Sequence, residues 1–377
     1  AITAGTETDG TGAVFKYAPP SGFLSLCTKN LPEPTIGANS LTQASDHFNT
    51  AIYSGTGSSN AITGVGFQTD WLWIKRRNGA TSHRVFDSTR ANGLFLSTDT
   101  SNQEDNGSSL FTSFDSDGFT VQGTSNSTNG SSQTYVAWNW LANGGTTVTN
   151  ESGSIDSTVQ ANTDAGFSIV TFAVPSSGTF TIGHGLNVKP AMVITKGRGQ
   201  ADNWVVYHKA ISSSNENNYL QLNTTNATGT ATDIWGTAQP TTSVVGMKAG
   251  TTLIASQNAL AYCFAEVEGY SKFGSYFGNG NADGTFVYTG FRPAFIIVKS
   301  TASANWEMFD TTRSPSNVIG IRLFPSLSNA ENTGEANCID IVSNGFKVRG
   351  AYAGLNQNGT DHIYMAFGDS TKYANAR

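Results

Sequence analysis

The strongest constraint on this chain is a pattern that occurs three times. A glycine-led turn runs into a dense apolar stretch that ends in lysine. The first copy reads Gly66-Phe67-Gln68-Thr69-Asp70-Trp71-Leu72-Trp73-Ile74-Lys75. The second is Gly185-Leu186, then Pro190-Ala191-Met192-Val193-Ile194-Thr195-Lys196. The third is Gly290-Phe291-Arg292-Pro293-Ala294-Phe295-Ile296-Ile297-Val298-Lys299. Runs of this length, rich in β-branched and aromatic residues and bounded by Gly or Pro, read as strands buried on both faces.

Flanking landmarks keep the same order. A strand ending in a Gly-rich turn precedes each copy, over Phe48 to Gly57, Phe167 to Gly178 and Phe273 to Gly284. An aromatic strand follows: Arg84-Val85-Phe86-Asp87, Trp204-Val205-Val206-Tyr207-His208 and Trp306-Glu307-Met308-Phe309-Asp310. Asp117-Gly118-Phe119-Thr120-Val121 is echoed by Asn344-Gly345-Phe346-Lys347-Val348, and more weakly by Ser243-Val244-Val245. A last strand closes each copy: Tyr135-Val136-Ala137-Trp138, Ala261-Tyr262-Cys263-Phe264 and Tyr364-Met365-Ala366-Phe367.

These landmarks predict an all-β protein with little helix. It is built of three tandem antiparallel β-sandwich or jelly-roll-like repeats in series, at 47–150, 151–269 and 270–377. Each is close to the commonest domain size of about 100 residues. The stretch from Ala142 to Ala165 is expected to be extended or to form an edge strand. Residues 1–46 fit no copy; Pro19-Pro20 and Leu31-Pro32-Glu33-Pro34 mark an extended N-terminal arm.

Composition excludes several classes. The chain has 377 residues, too many for one core, and only 13% are charged, so coiled coils are out. Net charge is −6 and the only basic run is Lys75-Arg76-Arg77, which argues against nucleic acid. No apolar run approaches the roughly 20 residues of a membrane helix. The start lacks a signal-peptide pattern and an initiator Met. Cys27, Cys263 and Cys338 form neither a disulfide scaffold nor a zinc pattern, and Cys263 is expected to serve as a small apolar residue.

Glu266 and Glu268, if on a strand, share one face about 6.5–7 Å apart, a spacing near that of glycosidase carboxylates. A solvated strand end is the stronger reading. Asp115-Ser116-Asp117-Gly118 resembles half a calcium loop, but a Gly turn explains it better. The five histidines have no ligand spacing and read as structural or surface residues. Asp87 and Arg90 recur as Asp310 and Arg313, which reads as a turn-stabilising ion pair of little worth if exposed. No metal or cofactor is expected. Among the tryptophans, Trp71, Trp73, Trp138, Trp204 and Trp306 align with apolar positions. Trp140 aligns with Glu266 and Asp369, and Trp235 has no counterpart. These two are the candidates for ligand binding, as exposed rings for sugar or subunit contact; the other reading is a ring that covers the edge of its own unit.

The run from Tyr262 to Tyr276, followed by Gly290-Phe291-Arg292-Pro293-Ala294-Phe295, resembles an uncharacterised domain family of tailed, often marine, phage virion proteins. The ending Lys372-Tyr373-Ala374-Asn375-Ala376-Arg377 is similar to that family's ending. Residues 17–32 resemble the end of a SPRY-like (concanavalin-like) domain that commonly precedes it. The resemblance implies a virion protein whose SPRY-like module lies upstream, and it carries no catalytic residues. With the composition, it sets the expected function: a non-enzymatic virion structural protein, a tail-fibre or tail-associated host-adhesion component on the virion exterior. The alternatives are a capsid-decorating or head-fibre protein and a cell-surface glycan depolymerase. Expected partners are other virion proteins, further copies of the chain (a trimer) and a host surface glycan, but not nucleic acid or membrane.

Overall fold

The computed structural model describes residues 42–212, 215–333 and 338–368, with isolated points at 7–8, 14–15, 17, 20 and 36. The protein is all-β, with one four-residue α-helix at Ala353–Asn356 among the described residues. Most of the expected arm, Cys27 and the C-terminal ending lie outside the described residues.

One four-stranded antiparallel sheet occurs three times with the same strand order. In the first unit Phe48–Ser54 pairs with Thr134–Trp140, which pairs with Trp71–Arg76, then Arg84–Asp87. The middle unit orders Phe167–Ala173, Asn258–Phe264, Met192–Gly197 and Val205–His208 identically. The third orders Ser271–Phe277, Asp361–Gly368, Pro293–Ser300 and Trp306–Asp310. The chain returns its last strand to the centre of the sheet, so the landmark strand is paired on both sides. The landmark glycines Gly66, Gly185 and Gly290 all take positive φ, +93°, +73° and +90°, which a side chain would strain.

Each unit adds a second sheet. In the first it is Asn60–Ile62, Gly118–Val121 and Phe111–Asp115; in the third it is Phe286–Tyr288, Gly345–Val348 and Ile339–Val342. The middle unit has only Thr179–Gly183 and Val244–Lys248 there. It instead extends its main sheet to eight strands, with Val148–Asn150 and Ser157–Asn162 at one edge. The link between the first two units therefore supplies edge strands.

The main sheets are buried on both faces, and the two faces serve different cores. Side chains alternate across a strand. Leu72 and Ile74, Val193, and Ile296 and Val298 point into their own sandwich. Trp71 and Trp73, Met192 and Ile194, and Phe295 and Ile297 enter one cluster shared by all three units. Trp71 meets Tyr262 at 4.6 Å, Trp138 meets Phe295 at 5.8 Å, and Phe264 meets Phe273 at 6.1 Å between ring centroids. The units expected in series thus surround one three-sided core.

Equivalent hydrogen bonds close the ring. Trp204 Nε1 donates to the Ser97 carbonyl (2.8 Å), and Trp306 Nε1 to that of Gln221 (2.9 Å). His83 Nδ1 accepts from Trp73 Nε1, so its Nε2 donates to the Phe324 carbonyl (3.0 Å). Outside these lie three backbone pairs. Asp202 donates to Ser101 and Glu104 to Arg198; Ala304 to Thr225 and Thr228 to Thr301; Thr81 to Ser328 and Glu331 to Arg77. Each unit touches both others through the same positions.

Candidate functional site

Pairing register decides the fate of Trp140. Trp140 lies opposite Trp71, as Phe264 lies opposite Met192 and Phe367 opposite Phe295. Its counterparts are therefore Phe264 and Phe367, not Glu266 and Asp369. Trp138 corresponds to Tyr262 and Met365, two residues from its expected alignment. Trp140 is fully buried in the shared core, 4.3 Å from Trp71 and 4.7 Å from Phe48 between centroids. Trp235 is equally buried. Its segment lies where the other units have a third outer strand. Its ring meets Tyr207 edge-on at 5.6 Å and its Nε1 donates to the Asn218 carbonyl. The exposure expected of both tryptophans is corrected: each fills a core, and neither offers a ring to a ligand.

The other candidates are consumed by structure. The strand ends at Phe264, so Glu266 and Glu268 do not share a strand face. Glu266 pairs with Lys209 (2.6 Å) and accepts the Phe273 N–H. Burial would raise its pKa, but these partners hold it below the ordinary carboxylate value. Asp117 accepts the Gly64 and Gly66 N–H groups, and Asp115 the Ser113 and Thr120 hydroxyls, which builds a turn. All five histidines are buried. Burial pushes His184 and His208 down to about 4. Burial likewise raises the Cys263 thiol to about 12.

The recurring acid–base pair is buried, contrary to the exposed reading. Arg90 Nε sits 2.7 Å from Asp87 and Arg313 Nε 2.5 Å from Asp310, with all four side chains inaccessible. Each arginine continues to a second carboxylate, Glu104 or Glu331. Each of these takes an arginine from the next unit, Arg198 or Arg77, in a forked contact. The neighbouring unit also donates to the aspartate: Tyr262 Oη to Asp87 (2.7 Å) and Trp138 Nε1 to Asp310 (3.0 Å). Burial lowers the pKa of Arg90, but Asp87, Tyr262 and Glu104 outweigh it and raise it. The sequence missed Glu104 and Arg198, although Arg77 and Arg198 each stand two residues past a landmark lysine.

Those lysines, Lys75, Lys196 and Lys299, are a second repeated device. All are inaccessible, and burial pushes each down to about 8. Each Nζ donates to the next residue's carbonyl: Arg76 (2.8 Å), Gly197 (2.9 Å) and Ser300 (2.5 Å). They tie down strand ends and are not available for chemistry.

What remains for recognition is surface, and the third unit differs there. Phe277, Phe286 and Tyr288 are exposed by 58%, 47% and 63%. Phe286 and Tyr288 flank the inward Val287 on the outer sheet, so both rings face outward about 6.5–7 Å apart. Lys347 lies directly across from Phe286, and Asp340 across from Lys347.

The sequence matches the model of a family described as a domain of unknown function, DUF7483, over residues 43–371. The chain belongs to this family. Comparison with curated proteins and with solved structures finds no match.

Proposed function

We propose that the chain is a non-enzymatic component of a phage virion, tail-associated and engaged in host adhesion. The observation that carries this reading is the division of labour between interior and surface. The histidines, Cys263, the landmark lysines and both Asp–Arg pairs are buried and committed to structure, the Asp–Arg pairs at the junctions between units. Two exposed aromatic rings, Phe286 and Tyr288, stand on the third unit's outer sheet, and Phe277 is exposed at the end of the same unit's main-sheet edge strand. The resemblance of Tyr262 to Tyr276 to virion sequences supplies the particle. In this reading the closed ring is a rigid platform among other virion proteins, and further copies of the chain, three in the expected assembly, multiply weak contacts to a host surface glycan.

Gold-labelled antibody against the chain, applied to purified particles, tests the reading. Label on the tail tip or fibres supports it, and label spread over the shell replaces adhesion with capsid decoration. Absence from particles overturns it. Sedimentation of the purified chain reads the copy number.

A further inference from the structure

We propose that the outer face of the third unit's outer sheet, around Phe286, Tyr288 and Lys347, is a binding site for an uncharged pyranose glycan. The inference deepens the adhesion reading and rests on it for its biological setting. The fold provides its own controls, because the same positions occur in the other units. Val287 opposes Phe346 as Ile62 opposes Phe119, so Phe286 corresponds to Ala61, Tyr288 to Thr63 and Lys347 to Thr120. In the middle unit Phe286 and Tyr288 correspond to Thr181 and Gly183. The third exposed ring, Phe277, stands where the others have Ser54 and Ala173. The scaffold therefore needs no aromatic at any of these positions. Three exposed rings in one unit, and none at the matching sites of its two siblings, call for an explanation other than folding.

The chemistry of the face selects the ligand. Two outward rings spaced along one strand offer flat apolar surfaces suited to the C–H face of a sugar ring. Beside Tyr288 the sheet carries Gly345, where a side chain would collide with the Val287 carbonyl, as one at Gly118 would with the Ile62 carbonyl in the first unit. The charged groups around the rings are already matched: Lys347 with Asp283 at 2.6 Å, and Arg349 with Asp340 at 3.3 Å. Such a rim offers hydrogen-bond donors and acceptors with little net charge, which suits hydroxyl groups better than phosphates or uronates.

The loop that carries Asp283 is held in place. Buried Asn356 donates to Asn279 Oδ1 and to the carbonyls of Asn281 and Gly350, and its own Oδ1 accepts the Asn279 N–H. Asn279 Nδ2 donates to the Asp283 carbonyl, and Thr285 Oγ1 to that of Phe277. A loop fixed beforehand loses little freedom when a ligand arrives.

The test is the purified full chain on a printed array of neutral and anionic bacterial surface polysaccharides, followed by calorimetry with the strongest binder. The double variant Phe286→Ala, Tyr288→Thr installs the first unit's residues, so the parent melting temperature should persist. Binding to one or more neutral polysaccharides is expected, and the variant should lose at least tenfold in affinity. Lys347→Thr should lose a few-fold. Binding to no glycan, to anionic ones alone, or equally by parent and double variant would overturn the site. A protein captured through this face with no glycan binding would also overturn it. Particle labelling is independent: fibre label without glycan binding removes the site alone, and shell label with glycan binding removes the adhesion role alone.

Discussion

Two of the three junctions in the ring are charged and the third is not. Where the first unit meets the middle one, Asp87, Arg90, Glu104 and Arg198 form a continuous chain of ion pairs, with Tyr262 donating to the aspartate. Where the third meets the first, Asp310, Arg313, Glu331 and Arg77 repeat it, with Trp138 as donor. Where the middle meets the third, the matching residues are His208, Ile211, Thr228, Thr301 and Met365. The backbone bonds across this neutral junction are nonetheless the same, at 2.9 Å for both Ala304 to Thr225 and Thr228 to Thr301. His208 turns inward, accepts the Ala210 N–H at Nδ1 and donates from Nε2 to the Tyr364 carbonyl (3.1 Å). The comparison teaches that the ion-pair chain is not what makes the geometry. It is present or absent as a whole, as expected if a buried charge without its partner costs more than none.

The largest expected effect comes from breaking a charged junction halfway. Arg90→Ala leaves Asp87 buried without its cation and should cost about 3–5 kcal/mol in chemical denaturation. The neutral junction should show itself in acid through His208, while burial also pushes His83, at the junction of the third and first units, well below its ordinary value. His208 titrates near 4 when folded and near 6.5 when unfolded, so the unfolded chain binds the extra proton. Stability is intact above 6.5 and falls as pH drops toward 4, by about 3 kcal/mol for this group. His208→Gln should remove that one-proton slope, read from denaturation midpoints at stepped pH. Glu104 is different. Burial raises its pKa, but Arg198 and Arg90 lower it further, so its contribution persists above 4.5 and is lost only below. A variant with an unchanged slope would contradict the His208 assignment.

Tyr262→Phe removes one donor to a buried carboxylate and should cost about 2 kcal/mol. The smallest effect belongs to the most extensive change. Asp87→His, Arg90→Ile, Glu104→Thr, Arg198→Thr and Tyr262→Met together rebuild the neutral junction in place of a charged one. This variant should stay within about 2 kcal/mol of the parent. A loss as large as that of Arg90→Ala would show that the charges, not the backbone pairs, hold the ring.

The threefold repeat, the all-β class and the doubly buried landmark strands were legible because alternation and turn glycines are local signals. The closure into a ring was not, because a strand buried on both faces does not say which core each face serves. Trp140 shows the limit sharply. A two-residue slip in aligning the last strand keeps every side chain on its correct face, so periodicity cannot detect it. Only its pairing opposite Trp71 does. Trp235 misled for another reason: its stretch lacks strand pattern because it replaces a strand that the middle unit does not have. The Asp87–Arg90 recurrence was visible, but its burial depends on a neighbouring unit far away in sequence. The exposed pair Phe286 and Tyr288 was also within reach, since Ala61 and Thr63 stand at the same positions in the first unit.

Three repeated sheets that share one core should stand or fall together. Native-state hydrogen exchange of the Arg90→Ala variant, read by mass spectrometry, tests this most directly. A matching loss of protection is expected in the three central strands, 134–140, 258–264 and 361–368. Loss confined to 134–140, with the other two unchanged, would contradict it and restore three independent units.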